Sequence, residues 1–480
     1  MTTNESAAEA AGIRDEILRL SRRYSVLTHK NNLPAWERST EEFIPGVTHV
    51  PYAGRVFDAD EVSAAIESTL EFWLTLGKNG ERFERLLAET MGIRKTLLTN
   101  SGSSANLLAI AALTSDKLGS RRMKPGDEVI TVAAGFPTTV TPIVQNGLIP
   151  VFIDNDVQTL NARVDQLDAA YLKGKTKAVM MAHTLGNPFD LSAVCEFCER
   201  NELWLIEDNC DALGSTYDDQ WTGTFGDLST QSFYPPHHLT LGEGGAVNIV
   251  KEILLKTLVE SFRDWGRDCW CPSGEDNTCN KRFCWQLGEL PEGFDHKYTY
   301  SHLGYNLKPL DIQAAIGVEQ LRKLDSFTEA RRANWNYLRA ALSEFENLFE
   351  FQLPTHATGW TATGFTWDTS GHRTDPSWFG FMLSVREDAP FTRTELAQQL
   401  DKCNIGNRML FGGNLTKQPA FVSLRKTNPD AYRVALPCEG ADHIMNRVVF
   451  TGVYPGLTRP MLDYVVEVIS DFVRTSVPQH

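Results

Sequence analysis

The chain has 480 residues, with 46 lysines and arginines against 61 aspartates and glutamates, for a net charge of -15. That balance excludes non-specific binding to nucleic acid or to anionic membranes, which would approach through a repulsive field. The length exceeds one small module and points to two or three packed units.

The N-terminal stretch MTTNESAAEAAGIRDEILRLSRRYSV interleaves charges with apolar residues instead of placing a basic start before an apolar core. No uninterrupted apolar run approaches the roughly twenty residues of a membrane span, so a cytoplasmic protein without membrane association is expected. Residues 1–50 are expected to form an N-terminal helical segment, 51–325 a large domain and 326–480 a smaller C-terminal domain.

From about 95 to 250, short apolar runs alternate with helical patterns, the signature of an α/β domain with a mostly parallel sheet flanked by helices. Glu128-Val132, Pro150-Asp154, Lys177-Ala182, Leu203-Glu207, Thr230-Tyr234 and Gly245-Val250 are the predicted strands, and Leu97-Thr99 reads as a strand or an extended turn. Several are apolar on successive residues, as expected where helices cover both faces of a sheet. Ser103-Leu113 reads as a helix opened by hydroxyl residues. Between 263 and 300 regular patterning stops, and the aromatic and cysteine content of this long insert argues for function over disorder. A helix resumes near Leu310-Leu324, and Thr355-Pro376, rich in Thr, Gly and Trp, reads as an exposed loop within a further run of helices and strands.

Three local patterns carry chemistry. Asn100-Ser101-Gly102-Ser103-Ser104-Ala105-Asn106 is a small polar turn before a helix, where amides and hydroxyls can receive a phosphate; the same turn also suits an ordinary N-cap. Glu207-Asp208 ends the apolar run LWLI and presents acids at the carboxyl edge of the sheet, where open α/β folds bind ligands. Ser232-Phe233-Tyr234-Pro235-Pro236-His237-His238 followed by LTLGEGG is the most specific of the three.

That last stretch resembles the lysine segment of fold-type I pyridoxal phosphate enzymes that aminate nucleotide-linked keto sugars. SF, a catalytic lysine and a GEGG turn occur there at this spacing. The resemblance runs from about 50 to 475, and makes 51–325 the cofactor-binding domain of a fold-type I aminotransferase-like architecture. It assigns Gly102, Ser103, Ser104 and Ser232 to the cofactor phosphate, Phe136 to stacking on the ring and Asp208 to the pyridinium. Tyr305-Asn306 corresponds to a contact made across a homodimer.

His237 stands where that family has lysine, so the covalent lysine link to the cofactor cannot form, while an imidazole can still move a proton at neutral pH. This substitution resembles the 3-dehydrases that remove the carbon 3 hydroxyl of nucleotide-linked 4-keto-6-deoxyhexoses. His237 aligns with their base, and His238 with a second histidine on the substrate side. Asp211 replaces the glutamine that touches the cofactor ring oxygen in the aminotransferases. Arg408, in NIGNRMLFGGN, is the candidate contact for a substrate anion.

Nine cysteines fall at 195, 198, 210, 269, 271, 279, 284, 403 and 438. In a reducing compartment they are expected to be thiols or metal ligands. Cys195-x-x-Cys198 lies in an amphipathic helical pattern with both thiols packed, and Cys403 and Cys438 read as core or free thiols. Cys210, Cys269, Cys271 and Cys279 are similar in arrangement to the thiolates that hold a two-iron two-sulfur (2Fe-2S) cluster in the 3,6-dideoxysugar branch. Cys284 is the rival fourth ligand and would give a local zinc site.

The expectation is a pyridoxamine 5'-phosphate or pyridoxal 5'-phosphate enzyme with a 2Fe-2S cluster. It would act on CDP-4-keto-6-deoxyglucose or TDP-4-keto-2,6-dideoxyglucose, and draw electrons from a reductase, ferredoxin or flavodoxin. A lysine-lacking aminotransferase, a glutamate-driven dehydrase with structural zinc, and an inactive sugar-nucleotide binding protein are the alternatives.

Overall fold

The computed structural model describes residues 3–39, 43–269, 271, 277–278 and 280–477. An eight-stranded sheet runs in the order Lys95–Thr99, Gly245–Ile249, Leu228–Ser232, Trp204–Asp208, Thr176–Ala182, Glu128–Val132, Ile149–Ile153 and Arg433–Val434. Its pairings are parallel except at Gly245–Ile249, which runs against both neighbours. The central strands are apolar on both faces because helices cover both: Gly102–Leu113 and Leu254–Arg263 share one core with Leu97, Ile206 and Val247, and Leu191–Arg200 packs with Val179 and Leu205 on another.

A second, antiparallel sheet orders Phe349–Phe351, Gly380–Val385, Val448–Gly452 and Asn407–Met409. The helices Arg393–Lys402 and Arg459–Ser476 bury Leu396, Leu400, Leu462 and Ile469 in the core shared with Leu383 and Val449. At the N-terminus, Thr3–Thr28 is a 26-residue helix packed along Ala59–Glu71. Arg14 pairs with Glu67 and Arg22 with Asp60 across that contact. Among the described residues no helix is long and apolar enough to cross a membrane.

Two sequence expectations need revision. The strand placed at Thr230-Tyr234 ends at Ser232, because Phe233 turns out of the sheet to pack edge-on against Phe83, 5.4 Å between ring centroids. The segment expected to be a loop at 355–376 contains a hairpin, Ala357–Thr361 with Gly364–Trp367, and the short strand Thr374–Asp375 paired to Thr216–Tyr217. Its Thr, Trp and Phe residues favour extended pairing.

Candidate active site

The parallel strands deliver their carboxyl ends to one edge, and there a cavity of about 290 Å³ opens. Gly102, Ser103, Phe136, Asp208, Cys210, Asp211, Ser232, His237 and Arg408 all line it. Residues separated by up to 306 positions in sequence are thus brought to one chamber.

The turn before Gly102–Leu113 is fixed by Ser101, whose hydroxyl accepts from the Ser104 amide at 3.1 Å and donates to the Ser104 hydroxyl at 3.0 Å. Ser104 is therefore used in the cap and does not line the cavity, whereas the exposed Ser103 hydroxyl reaches Thr138 Oγ1 at 3.0 Å. A Cβ on Gly102 would sit 2.5 Å from Ser232 Cβ and 3.1 Å from Cys210 Sγ. Only glycine lets the turn approach the strand end so closely. The result is a shallow cradle of amides and hydroxyls at a helix start, a fit for a phosphate dianion.

Asp208 closes the strand Trp204–Asp208 and is 4% exposed. Its Oδ2 accepts from Asn106 Nδ2 at 2.8 Å and Thr139 Oγ1 at 2.7 Å, and its Oδ1 from the Cys210 amide at 3.2 Å. Asn106 is itself fixed by the Thr230 hydroxyl at 2.6 Å. The carboxylate is oriented before any ligand arrives, a fit for a protonated ring nitrogen. Glu207, the other acid of the pair, points the opposite way and receives the amides of Gly223, Phe225 and Gly226 at 2.6–2.8 Å. It clamps a turn. Phe136 precedes the helix Pro137–Gln145 and keeps 49% of its surface exposed, with Phe411 at its edge.

His237 Nδ1 lies 3.1 Å from Asp211 Oδ1, both side chains being mostly buried at 15% and 13% exposure. Phe379 packs edge-on against the imidazole at 5.5 Å. Burial, then the Asp208 and Asp211 carboxylates, push the Cys210 thiol well up from its ordinary value.

His238 faces away from this chamber. It is 3% exposed, its Nε2 meets the Ser377 carbonyl at 2.7 Å, and burial with the nearby Arg331 cation holds it well below the usual histidine range. A ring enclosed in this way does not touch a ligand in the cavity, so the substrate-side position expected for His238 is corrected to a buried structural one. Arg408 is exposed at the mouth, its guanidinium 4.2 Å from the Tyr52 ring. Asn306 lies outside the cavity and accepts from Lys308 Nζ at 2.8 Å.

In the insert, Cys269, Cys271 and His296 bring their ligand atoms within 4.8 Å of one another. Cys279 falls outside the described residues. Cys210 is at the cofactor cavity and outside this three-residue group, and Cys284 is exposed. Cys198 is buried in the helix Leu191–Arg200 as its pattern implied, and burial pushes Cys195 up to about 12. Sequence reasoning missed His296, Phe379, Asn106 and Thr139. Of these, Asn106 had a local signal, an amide inside the otherwise apolar run ANLLAIAAL.

A larger cleft of about 930 Å³ lies elsewhere, lined by Asp154, Asp165, Asp190 and Glu439 among others. The Asp154 carboxylate is already taken by the Gly440 and Ala441 amides at 2.8 Å.

Fold and chamber together define a fold-type I pyridoxal phosphate scaffold. The chain belongs to the DegT/DnrJ/EryC1/StrS aminotransferase family, whose model matches residues 56–470. It is 51% identical to the lipopolysaccharide biosynthesis protein RfbH of Salmonella typhimurium over 90% of this chain and 94% of that protein. With the dTDP-4-dehydro-2,6-dideoxy-D-glucose 3-dehydratase of Saccharopolyspora spinosa it shares 50% identity, over 92% of this chain and 90% of that one. Among solved structures, the E. coli GDP-4-keto-6-deoxy-D-mannose-3-dehydratase with bound hydrated PLP superimposes with a TM-score of 0.74 at 27% identity, covering 88% of this chain and 99% of that one.

Proposed function

We propose that the protein is a pyridoxamine phosphate-dependent 3-dehydratase that removes the carbon 3 hydroxyl of a nucleotide-diphospho-4-keto-6-deoxyhexose. The observation that carries this reading is His237, backed by Asp211, on the wall of a chamber whose described lining contains no lysine. The 3-dehydratase names of the relatives above support the same reaction class.

Gly102, Ser103 and Ser232 would hold the cofactor phosphate, Asp208 the ring nitrogen and Phe136 the ring face. Bound pyridoxamine phosphate supplies the amine that condenses with the carbon 4 ketone, an acidic methylene, and a ring that takes up an electron pair. Asp211 stands beside His237 Nδ1, and Nε2 would take a proton and deliver it to the departing carbon 3 oxygen. Water, not hydroxide, is then the leaving group. Aromatic and aliphatic side chains of Leu185, Phe379 and Phe450 line the same chamber and exclude solvent from the exchange. Arg408 at the mouth would meet the nucleotide diphosphate.

Replacing the lost hydroxyl by hydrogen consumes two electrons and two protons for each water released. The thiols of Cys269 and Cys271, converging in the insert, support a one-electron centre built with Cys210 and Cys279 as a 2Fe-2S cluster fed by a reductase or ferredoxin. His296 in the same group favours a second reading, a zinc site of mixed cysteine and histidine ligands in a dehydrase driven by glutamate. In either case we place the enzyme in the cytoplasm, as a homodimer whose Asn306 reaches the partner's cofactor phosphate, with residues 51–325 as the cofactor-binding domain and 326–480 closing over the substrate.

The test is a product assay under anaerobic reducing conditions with CDP-4-keto-6-deoxyglucose and TDP-4-keto-2,6-dideoxyglucose. Product lacking the carbon 3 hydroxyl, formed only with reductant, is expected. Amino sugar formation with glutamate as donor sinks the proposal.

A further inference from the structure

Arg331, on the helix Leu324–Ala341, is 1% exposed, and among the described residues its hydrogen bonds reach no carboxylate. Its donors go to main-chain oxygens instead. Nη1 donates to the Trp378 carbonyl at 3.2 Å and lies 3.5 Å from that of Phe379, and Nη2 donates to the His237 carbonyl at 3.3 Å. Nε has no partner, and the guanidinium stands 5.9 Å from the Phe379 ring centroid. A buried guanidinium without a counter-ion is costly and persists where its placement does something else.

What it joins is informative. His237 belongs to the segment after the strand Leu228–Ser232, and Phe379 leads into the second sheet at Gly380–Val385. Both line the cavity, and their rings touch edge-on. One side chain therefore ties the backbone of the candidate base to the backbone of the aromatic that packs against it.

We propose that Arg331 is a positioning residue of this active site: it fixes the His237 and Phe379 main chains together and so holds the imidazole against the Phe379 ring. The inference rests on the role given to His237 above. Burial brings the Arg331 guanidinium down to about 9, partly offset by Asp211 and Tyr454, so it stays charged at neutral pH. The groups facing His237 are Tyr234 and His238 on its own segment, Asp208, Cys210 and Asp211 after the neighbouring strand, Arg331 behind it, and Tyr52 and Arg408 across the cavity. Arg331 is the buried cation of this set.

The experiment uses the full-length holoenzyme, with Arg331→Lys and Arg331→Met. Two readouts are taken: the rate of exchange of the cofactor methylene proton, and the chemical shift of the His237 ring carbon by NMR, assigned with His237→Asn. Arg331→Lys keeps the charge but cannot span three carbonyls, so exchange should fall about 10-fold. Arg331→Met makes none of the three contacts, so exchange should fall further and the His237 ring signal should move as the imidazole leaves the edge of Phe379. Should Arg331→Met fail to fold, Arg331→Lys still decides: wild-type exchange in that variant overturns the proposal. A folded Arg331→Met whose His237 ring signal stays at its wild-type position overturns it too. The ring readout needs no catalysis, so absence of exchange in the wild type would count against the proposed reaction and leave this test intact.

Discussion

The imidazole Nδ1 of His237 stands 3.1 Å from the Asp211 carboxylate. Two residues distant in sequence thus meet on the wall of one cavity. A carboxylate beside Nδ1 favours the tautomer that carries its proton there.

Asp211→Asn should therefore lower methylene proton exchange by about 10²-fold, within the usual range for general acid–base contributions, while cofactor binding holds. Stopped-flow or NMR exchange measurements on the loaded enzyme check this. Exchange within two-fold of wild type would remove Asp211 from the catalytic unit.

The Asp208 carboxylate is held by three donors at 2.7–3.2 Å. In Asp208→Asn a charge-assisted bond to the cofactor ring is lost, worth about 1.5–3 kcal/mol, so pyridoxal phosphate should bind roughly 10- to 100-fold more weakly by absorbance titration. Gly102→Ala should act differently, because its Cβ would meet Ser232 Cβ at 2.5 Å. Overpacking there is expected to cost about 1–3 kcal/mol of stability together with phosphate affinity. Unchanged melting temperature and affinity would show that the turn can retreat from the strand.

Much of this chamber was legible in the sequence because its signals are local. Ser103 and Gly102 announce a helix start, Asp208 ends an apolar strand, and Ser232 precedes a glycine turn. The rest depended on distant packing. Nothing near Phe379 marks it as a neighbour of His237, and His296 joins Cys269 and Cys271 only through the path of the insert. The reach of His238 was misjudged because adjacent histidines in an irregular segment need not point the same way, and here one enters the cavity and the other the core. The hairpin at Ala357–Thr361 was hidden by turn-like composition, although its Thr and Trp residues were a usable clue.

That hairpin segment carries a pH-sensitive attachment. His356 sits between Asp368, 3.0 Å from Nδ1, and Asp190, 3.7 Å from Nε2, with the Tyr217 hydroxyl 2.9 Å from Nε2. Burial alone would lower His356, but Asp190 and Asp368 outweigh it and raise it above the usual value. Asp368 is held down to about 2, first by the Ser370 hydroxyl and then, against its own burial, by His356. His356 thus stabilises the attachment fully below its unfolded value of about 6.5, and the contribution is lost as pH rises through its raised folded value. Asp368 contributes above about 4, and this is lost as pH falls toward its folded value. Hydrogen exchange over 356–372, corrected for intrinsic rates, should show greatest protection between about pH 4 and 6.5 and less at pH 8.5. His356→Gln should flatten that dependence. Equal protection at pH 6 and 8.5 in the wild type would argue against the attachment.

The insert offers the sharpest separation between the two readings of the metal chemistry. If four thiolates hold a 2Fe-2S cluster, His296 is a neighbour and not a ligand. His296→Ala should then retain iron and sulfide near two each per chain, while Cys271→Ser should lose both and spare exchange of the methylene proton. If the centre is a mixed cysteine and histidine zinc site, His296→Ala should lose the metal instead, and wild-type protein should be colourless with about one zinc per chain. The ligand atoms of Cys269, Cys271 and His296 lie within 4.8 Å of one another, so the two readings share the thiols of Cys269 and Cys271 and differ in the remaining ligands. Elemental analysis of these two variants, prepared anaerobically, distinguishes them without any assumption about turnover.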